Sequence, residues 1–153
     1  MSLLIRNLTS TITPRMKDCR TEQTGDGTKI NRIPLDGEIY DLYAAPSASG
    51  ASRAAILKSI RIVNTHSAPV VINLYYTDNV LTSGGGTSPT ECRRRRLAPS
   101  NMVLASGFAF IEDSEITVES GARIQASAKP ETGAVQPSVL IDYVIGGVER
   151  DVS

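Results

Sequence analysis

A chain of 153 residues with sixteen basic and sixteen acidic side chains fits a single domain, and its zero net charge argues against a general nucleic-acid binder. At this length a compact fold buries roughly 70% of the surface of its unfolded chain, so a core is expected without disulfide staples. No apolar run approaches the ~18–20 residues that span a bilayer, and the opening MSLLIRNLTS lacks the form of a signal peptide. A soluble chain made in the cytoplasm with reduced thiols is therefore expected. Cys19 and Cys92 have no zinc-type spacing, and the sequence gives no support for pairing them.

Residues 1–34 read as an extended N-terminal arm. Leu3, Leu4 and Ile5 make one short apolar run. After it come Pro14, the charged stretch Arg15, Lys17, Asp18, Arg20, Glu22, the turn Gly25-Asp26-Gly27, and Pro34. Apolar residues are sparse there and have no steady period, so the segment has no core of its own. Arg15, Lys17 and Arg20 are candidates for contacts made by this arm on a neighbouring subunit.

From residue 35 to 153 the signals are those of strands. GEIYDLY, from Gly37 to Tyr43, is the first of them, followed by a loop of small residues. The centre is the hairpin AAILKSIRIVNTHSAPVVINLYYTD, from Ala54 to Asp78. In its first strand Ile56, Ile60 and Ile62 share a face that Lys58 interrupts. In its second, Val70, Ile72, Leu74 and Tyr76 share one. A period of two marks a half-buried strand. Residues 79–90 form a glycine-rich loop. Short strands follow at 102–104, 108–111, 116–118 and 122–128, and a final one at 138–148 that Gly146-Gly147 ends or bulges. No stretch has a sustained helical period. The expected fold is an all-β antiparallel sandwich, jelly-roll or Ig-like, of about eight strands.

Two charged stretches stand out. Arg93, Arg94, Arg95 and Arg96 are consecutive, so on a strand two point each way. Glu112, Asp113, Glu115 and Glu119 form an acidic stretch without a basic residue. With no net charge to favour nucleic acid, each is the other's natural partner, within a subunit or between copies.

Catalytic patterns are absent. His66, the only histidine, sits in the loop of the central hairpin beside Ser67, which does not supply the geometry of a triad. Ser83-Gly84-Gly85-Gly86 lacks the GK[ST] ending of a phosphate loop. The acidic stretch lacks the alternating ligands and central glycine of a calcium loop. No enzyme, metal, cofactor or small-molecule substrate is expected.

From Ile56 onward the order of features resembles small virion proteins of tailed bacteriophages. The pattern is SIRIVNT, then VVINLYYTD, a glycine-rich loop, LAPSNMVL, EITVESGARIQASA and a last apolar strand. The resemblance implies a non-enzymatic structural component of a virion, made in the host cytoplasm. It favours a capsid decoration or cement protein over a neck or tail accessory protein. It also implies a homo-oligomer, with a trimer favoured, bound to a major capsid or tail protein. The alternative is a carbohydrate-binding or adhesive sandwich, for which Tyr40, Tyr43, Tyr75 and Tyr76 are the available aromatics.

Overall fold

Thirteen strands run through the described residues of the computed structural model, which are 3–7, 32–46, 53–77, 81–82, 89–91 and 94–151. In chain order they are β1 (Leu3–Asn7), β2 (Arg32–Leu35), β3 (Tyr40–Ala44), β4 (Arg53–Val63), β5 (Val70–Thr77), β6 (Leu81–Thr82), β7 (Pro89–Glu91), β8 (Arg94–Arg96), β9 (Met102–Leu104), β10 (Ala109–Glu112), β11 (Ile116–Val118), β12 (Arg123–Pro130) and β13 (Gln136–Asp151). No helix occurs among the described residues.

Every pairing is antiparallel. In the first sheet β4 and β13 are central. β1 and β2 lie end to end along the far edge of β13, and β10 and β11 lie end to end along the far edge of β4. In the second sheet β5 and β12 are central, with β3 outside β12 and β8 and β9 outside β5. β6 and β7 pair separately as a small hairpin.

The pairing is nested. β5 pairs β8 and β9, β4 pairs β10 and β11, β3 pairs β12, and β2 pairs β13. This is one long hairpin folded across itself, closed by the β4–β13 and β5–β12 contacts. Eight strand positions in that order make a jelly roll and not an Ig-like sandwich.

The core lies between the sheets and is aliphatic. Leu57, Ile60 and Ile62 of β4, Ile141 and Ile145 of β13, Ile72 and Leu74 of β5 and Ile124 of β12 are fully buried. The single face expected for Ile56, Ile60 and Ile62 is not observed. Leu57 and Ala55 point inward, whereas Ile56 is half-buried. The register shows why: Gly146 pairs Ser59 and Gly147 pairs Leu57, so Lys58 is an extra residue on β4. A bulge of one residue flips the parity of everything before it. β13 keeps its phase, with positions 141, 143, 145, 147 and 149 all buried, and runs past the glycine pair to Asp151.

The boundary expected at residue 34 falls inside β2. Ile33 and Leu35 are fully buried and pair with β13, so residues 32–34 belong to the sandwich. β1 likewise pairs with Gly146–Arg150 of β13. Residues 8–31, with Arg15, Lys17 and Arg20, lie outside the described residues, as do Cys19, Cys92 and the triple glycine.

Candidate functional site

The edge of the first sheet made by β10 and β11 and the edge of the second made by β8 and β9 run along the same side of the sandwich. Where β8 faces β11 they leave a cleft of about 430 Å³, lined by Tyr76, Arg95, Arg96, Leu97, Ile116, Thr117 and Glu119. Register places Arg95 opposite Tyr76, and Arg94 and Arg96 opposite Thr77 and Tyr75, so successive arginines alternate in face. Arg96 lies over the Tyr75 ring, 5.1 Å from its centroid, and its Nη1 donates to Asn73 Oδ1 at 2.6 Å. Asn73 Oδ1 also accepts the Asn101 backbone N–H at 2.9 Å, and Asn73 Nδ2 donates to Asn101 Oδ1 at 3.1 Å. Asn101 is held at φ 52°, in the left-handed region that asparagine tolerates better than most residues. The arginine is thus fixed by a ring, an amide and a constrained turn. Across the cleft the Tyr76 phenol oxygen accepts the Glu119 backbone N–H at 3.4 Å, which links β5 of the second sheet to the end of β11 in the first.

The acidic stretch is divided among different tasks. Glu115 pairs with Lys58, the bulged residue of β4, and not with an arginine. Both partners are more than half exposed, so the pair adds little to stability. Glu112 Oε1 accepts the Ser114 backbone N–H at 2.9 Å and closes the turn between β10 and β11. That bond, helped by the Ser114 hydroxyl, holds its carboxyl below the usual glutamate range. A lowered carboxyl favours the folded turn above the unfolded value and loses that contribution as pH falls through the folded one. Titration of Glu112 by NMR is expected below that of a free glutamate, and Ser114→Ala is expected to bring it part of the way back. Asp113 and Glu119 are exposed and make no ion pair among the described residues. The charge-bearing atoms of Arg93 and Arg94 lie outside the described side chains.

The outer face of the first sheet has a second surface feature. Ile111 of β10 and Val144 of β13 both pair with Arg61 of β4, so the three lie in one row across the sheet. Ile111 is 55% and Val144 45% exposed, and Phe108, just before β10, is 65% exposed. A solvated sheet face is ordinarily polar at such positions.

Among the described residues His66 does not meet an acid. Its backbone N–H donates to Asn64 Oδ1 at 2.9 Å, and its carbonyl accepts the Ser106 hydroxyl at 2.6 Å. Asn64, fully buried, also donates to the carbonyls of Ala68 and Leu104 at 2.9 Å each. This asparagine pins the hairpin loop to the turn before β10. Among the described residues no group of three or more His, Cys, Asp or Glu is placed to hold a metal ion, and no helix is long and apolar enough to cross a membrane.

Sequence reasoning missed a buried carboxylate. Glu149 of β13 is fully buried, accepting from the Tyr43 hydroxyl at 2.9 Å and from Arg53 Nη1 at 3.3 Å. Its spacing from Ile141, Tyr143 and Ile145, in phase along one strand, was the available signal. A second buried chain runs from Thr77 Oγ1 to Gln125 Oε1 at 2.6 Å and from Gln125 Nε2 to Asp41 Oδ1 at 2.7 Å. Burial also pushes the Tyr143 phenol well above its usual range; it donates to the Leu42 carbonyl at 3.3 Å. These groups are enclosed by partners and read as structural fastenings. No family model, no curated protein and no solved structure matches this chain.

Proposed function

We propose that the chain is a non-enzymatic structural component of a tailed-phage particle, acting as a capsid decoration or cement protein in many copies. The observation that carries this reading is the row Val144–Arg61–Ile111 on the outer face of the first sheet. Exposed apolar side chains around one cation suit a surface that is covered in an assembly. The resemblance of residues 56 onward to small virion proteins points the same way. In this reading the partners are copies of the chain, in the trimer that the resemblance implies, and a major capsid protein. A neck or tail position uses the same surfaces. The alternative, a carbohydrate-binding module, would use the cleft beside Tyr76, whose lining holds a single aromatic ring.

The test is mass spectrometry of particles purified on a density gradient from cells in which the gene is expressed with its neighbours. The chain is expected in the particle fraction in many copies, and recovery only among free proteins overturns the proposal. Ile111→Glu with Val144→Glu is expected to lower its occupancy on particles about tenfold or more while leaving thermal unfolding within ~2 °C. Unchanged occupancy would remove the outer face from the argument. Binding to a glycan array instead of particles would establish the carbohydrate reading.

A further inference from the structure

The two edges that share the open side of the sandwich carry opposite charge. β8 brings Arg95 and Arg96 to the edge of the second sheet, with Arg94 beside them in the strand. The turn after β10 and the residue after β11 bring Asp113 and Glu119 to the edge of the first. Neither carboxylate has an ion-pair partner among the described residues, although Glu119 lines the same cleft as Arg95 and Arg96. Arg96 is held over β5 by Asn73 and Tyr75, and Arg95 also has an interaction within its own chain, so a contact with a second copy adds to bonds already in place. Leu97 and Ile116, half-buried between the two charged edges, add an apolar strip.

We propose that this side of the sandwich binds the same side of a second copy, about a two-fold axis running along the strands, with the β8 arginines of each copy on Asp113 and Glu119 of the other. Such an axis exchanges the two sheets. It places the basic edge of one copy on the acidic edge of its partner, twice, which is what an isologous contact requires. Complementary edges fix the register of the pair and make its formation dependent on salt. Two edges on one side match a two-fold contact and not the three-fold one implied by resemblance, so the pair stands alone or joins two trimers. The inference extends the assembly reading but rests on different residues. Its test uses the isolated protein, so its failure and the failure of particle binding are read separately.

The experiment is light scattering on the purified chain, on R94E/R95E, on D113K/E119K, and on an equal mixture of the two variants. The wild type is expected at an even multiple of the chain mass in low salt, falling to half of it in ~1 M salt. Each variant alone is expected at half the wild-type mass, with the apparent dissociation constant raised about a hundredfold or more. The mixture is expected to recover the wild-type mass, because the glutamates introduced in one variant then face the lysines introduced in the other, while the unchanged Asp113 and Glu119 of the first face the unchanged β8 arginines of the second. That recovery cannot come from a misfolded chain. A wild type that is a monomer or an isolated trimer, variants that keep the full mass, or a mixture that fails to recover it would each overturn the proposal.

Discussion

Replacing Gly147 with alanine is expected to remove about 3 kcal/mol of unfolding free energy and to lower the thermal midpoint by roughly 6–12 °C. A Cβ at this position would meet the Ile56 carbonyl oxygen at 2.5 Å and the Leu57 Cα at 3.0 Å. Both are backbone atoms of the paired strand β4, held by the ladder on either side of the bulge. A flexible side chain can swing aside; a strand in the middle of a sheet moves only with its neighbours. Gly146 is the internal control. A Cβ there meets only Ser59 Oγ, at an ordinary 3.5 Å. Gly146→Ala is therefore expected to be neutral, or to stabilise by up to about 1 kcal/mol by restricting the unfolded chain. Equilibrium denaturation of the two variants side by side checks the close approach. Equal effects would mean that the bulge, and not the missing Cβ, sets the spacing of β4 and β13.

Arg53→Met is expected to be comparably damaging, at about 3 kcal/mol. Glu149 is fully buried, and Arg53 Nη1 is its cationic partner at 3.3 Å. Removing one member of such a pair typically costs 3–5 kcal/mol, because the other charge is left without compensation. The arginine side chain is 34% exposed, which puts the effect at the lower end of that range. Arg53 also reaches Asp151 at 3.3 Å, but that carboxylate is exposed and contributes little. The decisive comparison is the double variant. Arg53→Met combined with Glu149→Gln removes the charge that Arg53 balances and keeps an acceptor for the Tyr43 hydroxyl, and is expected to be more stable than Arg53→Met alone. A double variant that is the additive sum of its singles would show that the two groups do not act as a pair.

Much of the sheet pattern was legible because a strand needs only its own alternation to be recognised. Val70, Ile72 and Leu74 of β5, and Ile141, Tyr143 and Ile145 of β13, share buried faces as their spacing predicts. β4 was misread for a reason that no single strand can reveal. Its extra residue, Lys58, is defined only against Gly146 and Gly147, nearly ninety positions away along the chain. β2 was misread because four residues containing a proline look like a connection. Pro34 is tolerated because β2 is an edge strand, with one side of its backbone outside the ladder. The candidate site was legible in composition and not in geometry. The arginine run and the acidic stretch were visible as charges. That their strands line one side of the sandwich follows from nesting β8 on β5 and β11 on β4, which is a property of topology. Glu149 was hidden by its chemistry, since a glutamate near a strand end is ordinarily solvated.

The nesting also dictates an order of events during folding. Among the described residues the innermost pairing, β6 with β7, closes the shortest loop and β5 with β8 and β9 the next, whereas β2 and β13 are linked by contacts such as Arg32 with Asp142, 110 positions apart. Closing the outer pairs first would fix a long loop before any contact repays its entropy. The ribbon should zip outward from its tip, and each stage brings the ends of the next pair closer. Such a mechanism is slow, on the order of milliseconds to seconds. It also leaves the first sheet without one of its two central strands until β13 has been synthesised, so β1, β2 and β4 all wait for the same partner, and β1 waits longest.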